Sequence, residues 1–128
     1  MEIVAWVLQV LLGVFFVYHA YVLLAPNPKQ LRQRGMVYVI EMPAALRVFA
    51  GVAEGLAGIA LIVPWATGVL PWLTPLAAAG LVLLMVGAIV FHIPRREYPN
   101  IGLNLVLLAL AAVVAYLRWS ALAALGVV

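Results

Sequence analysis

The side chains able to bind a proton or a polar ligand are few: two histidines, four acids and seven bases in a chain that is 69% hydrophobic. Glu54 stands in the middle of a long apolar run, and Arg47 precedes it by seven residues, two helical turns and within about 20° of the same face. Gly51, Gly55 and Gly58 share their stripe. An ionised group facing lipid at a helix centre costs ~2.5–3.5 kcal/mol on insertion scales, so both side chains are expected to point into a helical bundle. Counting 1.5 Å per residue from the centres of the apolar runs puts His19, Arg47 and Asn104 roughly 8–10 Å to one side of the midplane. Tyr18 and Tyr21 flank His19 and could add a hydroxyl to that layer. His92 falls roughly 15 Å from the centre of its run and is expected at the interface.

Such a set suits a site that hydrogen-bonds the polar end of an apolar molecule, with His19 or Glu54 passing a proton. A purely architectural reading fits the same residues. Arg47 and Glu54 then form an internal ion pair, or two separately hydrogen-bonded groups that fix helix register. On that reading His19 is a hydrogen-bonded core histidine and Asn104 is interhelical glue. Other chemistries are excluded more firmly. Without cysteine the chain has no thiolate nucleophile, disulfide relay or iron–sulfur ligand. A bis-imidazole haem needs opposed ligands at similar depth, and His92 lies about a turn or more nearer the surface than His19. One Glu and two His at different depths make no recognisable metal spacing, so no metal is expected. No Gly-rich phosphate loop or nucleophile elbow is present, and the chain on its own is expected to be non-enzymatic.

The elements that must position these residues follow from composition. Only 9% of residues are charged and the mean hydropathy is +1.24, too apolar for a water-soluble surface. The eight prolines leave four long apolar stretches, about 3–24, 44–63, 72–92 and 101–119, each with roughly the 20 residues that cross ~30 Å of hydrocarbon. The first lacks the positive leading region of a secretory signal and is expected to remain as a helix. Lys29, Arg32, Arg34, Arg47, Arg95 and Arg96 fall at the first and third connections, against Arg118 alone on the other side, so both termini are expected to be non-cytoplasmic. Trp6, Trp65, Trp72 and Trp119 all map to that far interface, where indoles are favoured. The net charge of +3 therefore reflects topology, with membrane lipid and not nucleic acid as the expected partner.

These features predict an all-α, integral membrane, antiparallel four-helix bundle forming one domain over residues 1–128. Short second and third connections make the last three spans neighbours. The long connection, 25–43, is either a short helix on the headgroups with its basic side outward or a solvated loop. Gly51 and Gly55 match a small-xxx-small pattern, a weak signal for a homodimer.

Taken in order, the pieces resemble the DoxX-like family of small four-span bacterial membrane proteins. They are the opening helix from Trp6 to Tyr21, the run Leu46-Arg47 through Gly51 and Glu54 to Gly58, and Pro64 closing it. Then come Pro71-Trp72, Val90-Phe91-His92, Glu97-Tyr98-Pro99 and Asn104 in the last span. The resemblance covers nearly the whole chain and implies a four-helix protein of the bacterial cytoplasmic membrane. Relatives in the wider DoxX and DoxD group are associated with quinone-linked sulfur oxidation and membrane oxidoreductase assemblies. The expectation is an accessory protein that holds a quinone, a lipid or another apolar ligand and serves a redox partner. Two alternatives stay open: a structural subunit of a larger membrane complex, and a proton-coupled carrier using Glu54.

Overall fold

A computed structural model describes residues 1–128. It holds seven helical segments: α1 (Glu2–Leu24), α2 (Pro28–Gln33), α3 (Val37–Glu41), α4 (Ala44–Ala60), α5 (Val63–Thr67), α6 (Leu73–His92) and α7 (Tyr98–Ala124). Four of these stretches are long and apolar enough to cross a membrane, with α4 and α5 acting as one. The chain is thus the all-helical bundle expected, although the last helix runs past both ends of the 101–119 estimate.

The break inside the second span has a local cause. Pro64 has no N–H and cannot satisfy the carbonyl of Ala60, four residues earlier, so the helix stops and restarts. The released carbonyls find side chains on other helices. Thr74 Oγ1 of α6 donates to Ala60 O at 2.9 Å, and Gln9 Nε2 of α1 donates to Leu61 O at 2.6 Å. A proline that ends one helix therefore also pins it to two others, because apolar surroundings offer no water to those carbonyls.

The helices pack as two tight pairs, α1 with α4 and α6 with α7, joined by thinner contacts from α4 to α6 and from α1 to α7. Glycines set the first pair. A Cβ on Gly58 would lie 3.0 Å from the carbonyl oxygen of Gly13, and one on Gly51 would lie 2.7 Å from Leu24. The small-residue stripe is therefore used inside the bundle against α1, where it lets two backbones approach. One core cluster, including Leu12, Phe16, Leu61, Leu81, Met85 and Ala111, joins all four long helices.

The long connection is neither a bare loop nor only a headgroup helix. Asn27 caps α2 by accepting from the backbone N–H of Gln30, with Pro28 at the first helical position. Lys29, Arg32 and Arg34 stay exposed. Leu31, Tyr38 and Val39 turn inward onto Val22 and Leu23, so α2 and α3 fold as a cap over one end of the bundle. Arg47 assists by donating to the Leu23 carbonyl near the C-terminus of α1, where carbonyls lack helical partners and a cation is favoured.

Candidate functional site

The capped end of the bundle gathers polar groups from different elements. His19, on the last two turns of α1, faces Glu54 near the middle of α4, with Nδ1 and Oε1 2.7 Å apart. Its other ring nitrogen, Nε2, is 3.0 Å from the hydroxyl of Tyr38 on α3. Glu54 is only 5% exposed and His19 is its sole polar partner within the chain. The result is a continuous carboxylate–imidazole–phenol relay. The Phe15 ring runs nearly parallel to the imidazole, 7° from its plane, with centroids 6.0 Å apart.

A second line of groups approaches Tyr38 from the far side. His92, at the end of α6, meets the Tyr38 ring edge-on at 4.9 Å between centroids. Its Nδ1 lies 2.9 Å from Glu97 Oε1, so an ionised Glu97 accepts that N–H and directs Nε2 the other way. Glu97 also accepts from Arg95 Nε at 2.6 Å, and Arg95 reaches Glu41 on α3 at 2.9 Å, tying the cap to the α6–α7 turn. Burial opposes ionisation of Glu97, but hydrogen bonds from Arg95 and His92 outweigh it and hold its carboxyl below the usual range. Tyr38 moves the opposite way. Burial first, then the charges of Glu54 and Glu97, push its phenol up to about 12, so it remains a neutral hydroxyl.

His19, Glu54, Tyr38 and His92 line a cavity of about 810 Å³ between the two helix pairs, with 20 of 27 lining residues hydrophobic. That volume is in the range of small-molecule sites, ~300–1,000 Å³. Its apolar walls come from all four long helices, including Phe16, Phe49, Ala53, Leu84, Phe91 and Leu107. Leu46, Phe49, Leu83 and Leu103 line it while remaining exposed on the outer surface, so the space is open at the bundle's side. Gly80 and Gly87 add room, since a Cβ at either would meet nothing within 4 Å. Asn104 of α7 also lines the cavity; it is 8% exposed and its Nδ2 has no hydrogen-bond partner.

The structure brings His19, Glu54 and Asn104 to one cavity and separates Arg47 from them. Arg47 and Glu54 do not pair: each has its own partner on α1 or its end. His92, expected at the interface, is 4% exposed and lines the same cavity, because the cap covers the bundle end that depth along the helix alone leaves open. Tyr18 sits at the rim with its hydroxyl accepting from Arg34, and Tyr21 is exposed, facing a separate groove beside α2. Tyr38 is the site residue that sequence reasoning missed. Its available signal was the apolar run Met36–Ile40 inside an otherwise polar connection.

Sequence reasoning also set Arg118 at the opposite interface, yet it is only 1% exposed. Its Nε donates to Gln9 Oε1 at 2.5 Å and one terminal nitrogen to Glu2 Oε2 at 2.7 Å. Its guanidinium lies 4.2 Å from the Trp65 ring centroid and 5.6 Å from that of Trp6, a cation–π setting. This cluster latches α1, α5 and α7 at the end away from the cavity.

Among known proteins, the model of the DoxX-like family matches residues 7–114. No curated protein and no solved structure matches the chain significantly.

Proposed function

We propose, on the premise that the chain belongs to the DoxX-like family of membrane proteins, that it is a binding protein holding an apolar molecule with one polar end inside its bundle. A quinone, or a lipid of similar shape, has that form. The observation that carries this reading is the lining of the cavity: mostly apolar walls open at the bundle's side, with Asn104, His19, Glu54, Tyr38 and His92 among them. Buried polar groups in an apolar medium are costly unless they have partners, and Asn104 Nδ2 lacks one within the chain. A ligand oxygen supplies it.

The capped end of the bundle, where Tyr38 and His92 line the cavity, carries Lys29, Arg32, Arg34, Arg95 and Arg96 on its connections. By the excess of positive charge in cytoplasmic loops, we assign this end to the cytoplasmic half of a bacterial inner membrane. In this reading the chain serves a membrane redox partner by holding the molecule that the partner turns over.

Filling the cavity tests the proposal. Gly80→Phe projects a ring into open space from a position where no packing atom lies within 4 Å of the new Cβ. Purified in native lipid, the wild type is expected to carry a bound quinone or lipid that survives detergent washing. Gly80→Phe is expected to retain helicity and lose that ligand. Equal ligand content in the two proteins, or none in the wild type, would overturn the reading.

A further inference from the structure

The relay from Glu54 through His19 gives Tyr38 a reversible hydrogen-bond polarity, and this specifies the ligand further. With Glu54 ionised, its Oε1 accepts the Nδ1–H of His19, 2.7 Å away. Nε2 is then a lone pair and accepts the Tyr38 O–H across 3.0 Å, leaving Tyr38 to show only oxygen lone pairs to the cavity. Addition of one proton to the His19–Glu54 pair puts a hydrogen on Nε2. That N–H donates to the Tyr38 oxygen, and the Tyr38 O–H is released toward the cavity. One proton thus converts the phenol from acceptor to donor.

We infer that the site binds both members of a quinone–quinol pair, taking up one proton with the quinone and none with the quinol. This rests on the binding reading above. A quinone oxygen only accepts and needs Tyr38 as a donor; a quinol hydroxyl donates and needs Tyr38 as an acceptor. Asn104 Nδ2 donates to the oxygen of either form and does not discriminate. A ligand with a fixed carbonyl or a fixed hydroxyl would use only half of this arrangement.

The groups around the relay leave that proton to His19 and Glu54. Arg47, on the same helix as Glu54, is engaged with the Leu23 carbonyl. From α6, His92 touches Tyr38 through its ring edge and is hydrogen-bonded to Glu97, which Arg95 holds in turn. From α7, Asn104 is polar and uncharged.

The experiment measures binding of a decyl-substituted benzoquinone and of its hydroquinone, anaerobically, to the full chain in lipid nanodiscs across a range of pH. If one form needs the added proton and the other its absence, the ratio of the two dissociation constants shifts in favour of the quinone by about tenfold per pH unit lowered. In His19→Phe, which keeps a ring beside Phe15 but has no nitrogen to carry the proton to Tyr38, the ratio is expected to be independent of pH. Tyr38→Phe keeps the ring against His92 and is expected to flatten the ratio as well, which covers the case in which the His19→Phe chain does not fold. Binding of both forms at a constant ratio in the wild type overturns this inference while leaving the binding reading intact. A slope that survives both substitutions overturns its assignment to this relay. Failure of the wild type to bind either form overturns this inference, and it overturns the binding reading too only when no lipid copurifies with the wild type either.

Discussion

Tyr38 sits where burial and two carboxylates all oppose its ionisation, and that has a measurable consequence. An ordinary phenol ionises near 10.0, whereas this one is pushed to about 12. Because the folded value is raised, its contribution to stability is complete below pH 10.0 and is lost as pH rises toward 12. An alkaline titration followed by tyrosinate absorbance is expected to show a late phenol that is absent in Tyr38→Phe. Glu97 has the reverse sign: its carboxyl is lowered from 4.5, so the stability it confers is present above that pH and is lost on further acidification. Glu97→Gln is expected to reduce the loss of thermal stability in acid. At the far end, Gln9→Leu would leave Arg118 Nε and the Leu61 carbonyl unpaired. Each orphaned buried group costs about 1–3 kcal/mol, so a clear drop in melting temperature is expected. Histidines and acids in apolar runs were legible as candidates from residue type and depth. The partners of His19 were not, because one of them, Tyr38, comes from a connection whose path no helical periodicity describes.

Glycine has two opposite uses in these helices, and substitution separates them. Gly58→Ala puts a methyl 3.0 Å from a backbone oxygen of Gly13, an atom that cannot swing aside, so overpacking should destabilise the α1–α4 pair by about 1–3 kcal/mol. Gly80→Ala meets open space and is expected to leave the melting temperature unchanged or raise it slightly through helix propensity. Thermal melts of the two variants in the same detergent compare them directly. The proline pattern announced the four long helices well, but only approximately where they end. Pro64 ended the second run as its chemistry demands, and the helical turn that follows could form because Gln9 and Thr74 take the freed carbonyls. Those two acceptors lie 52 and 14 residues from their donors, beyond any local pattern.

At the scale of the whole molecule, the thin junction between two tight helix pairs creates the cavity, and the cap of α2 and α3 closes one end of it. The absence of cysteine makes the topology simple to test. A cysteine introduced at Lys29 should react with a membrane-impermeant reagent only from the cytoplasmic side, and one at Val128 only from the opposite side. Labelling of both from one side would contradict the odd number of crossings that separates them. The same cysteines report whether ligand binding changes the exposure of the cap, since Lys29 lies on α2 beside the residues that cover the site.

Sequence alone determined the solvent of this protein, its four spans and the few polar residues that hydrocarbon should reject, because each follows from composition, length and the cost of burying charge. It also placed His19, Arg47 and Asn104 at one depth and Glu54 at the middle of its span, since depth depends only on rise per residue. Tertiary structure decided which of them meet. Rotation about each helix axis and the fold of the connection are set by long-range packing, such as Gly58 against Gly13 and Leu31 over Val22. These contacts turned Arg47 away to the end of α1, drew His92 inside, and brought Tyr38 to His19.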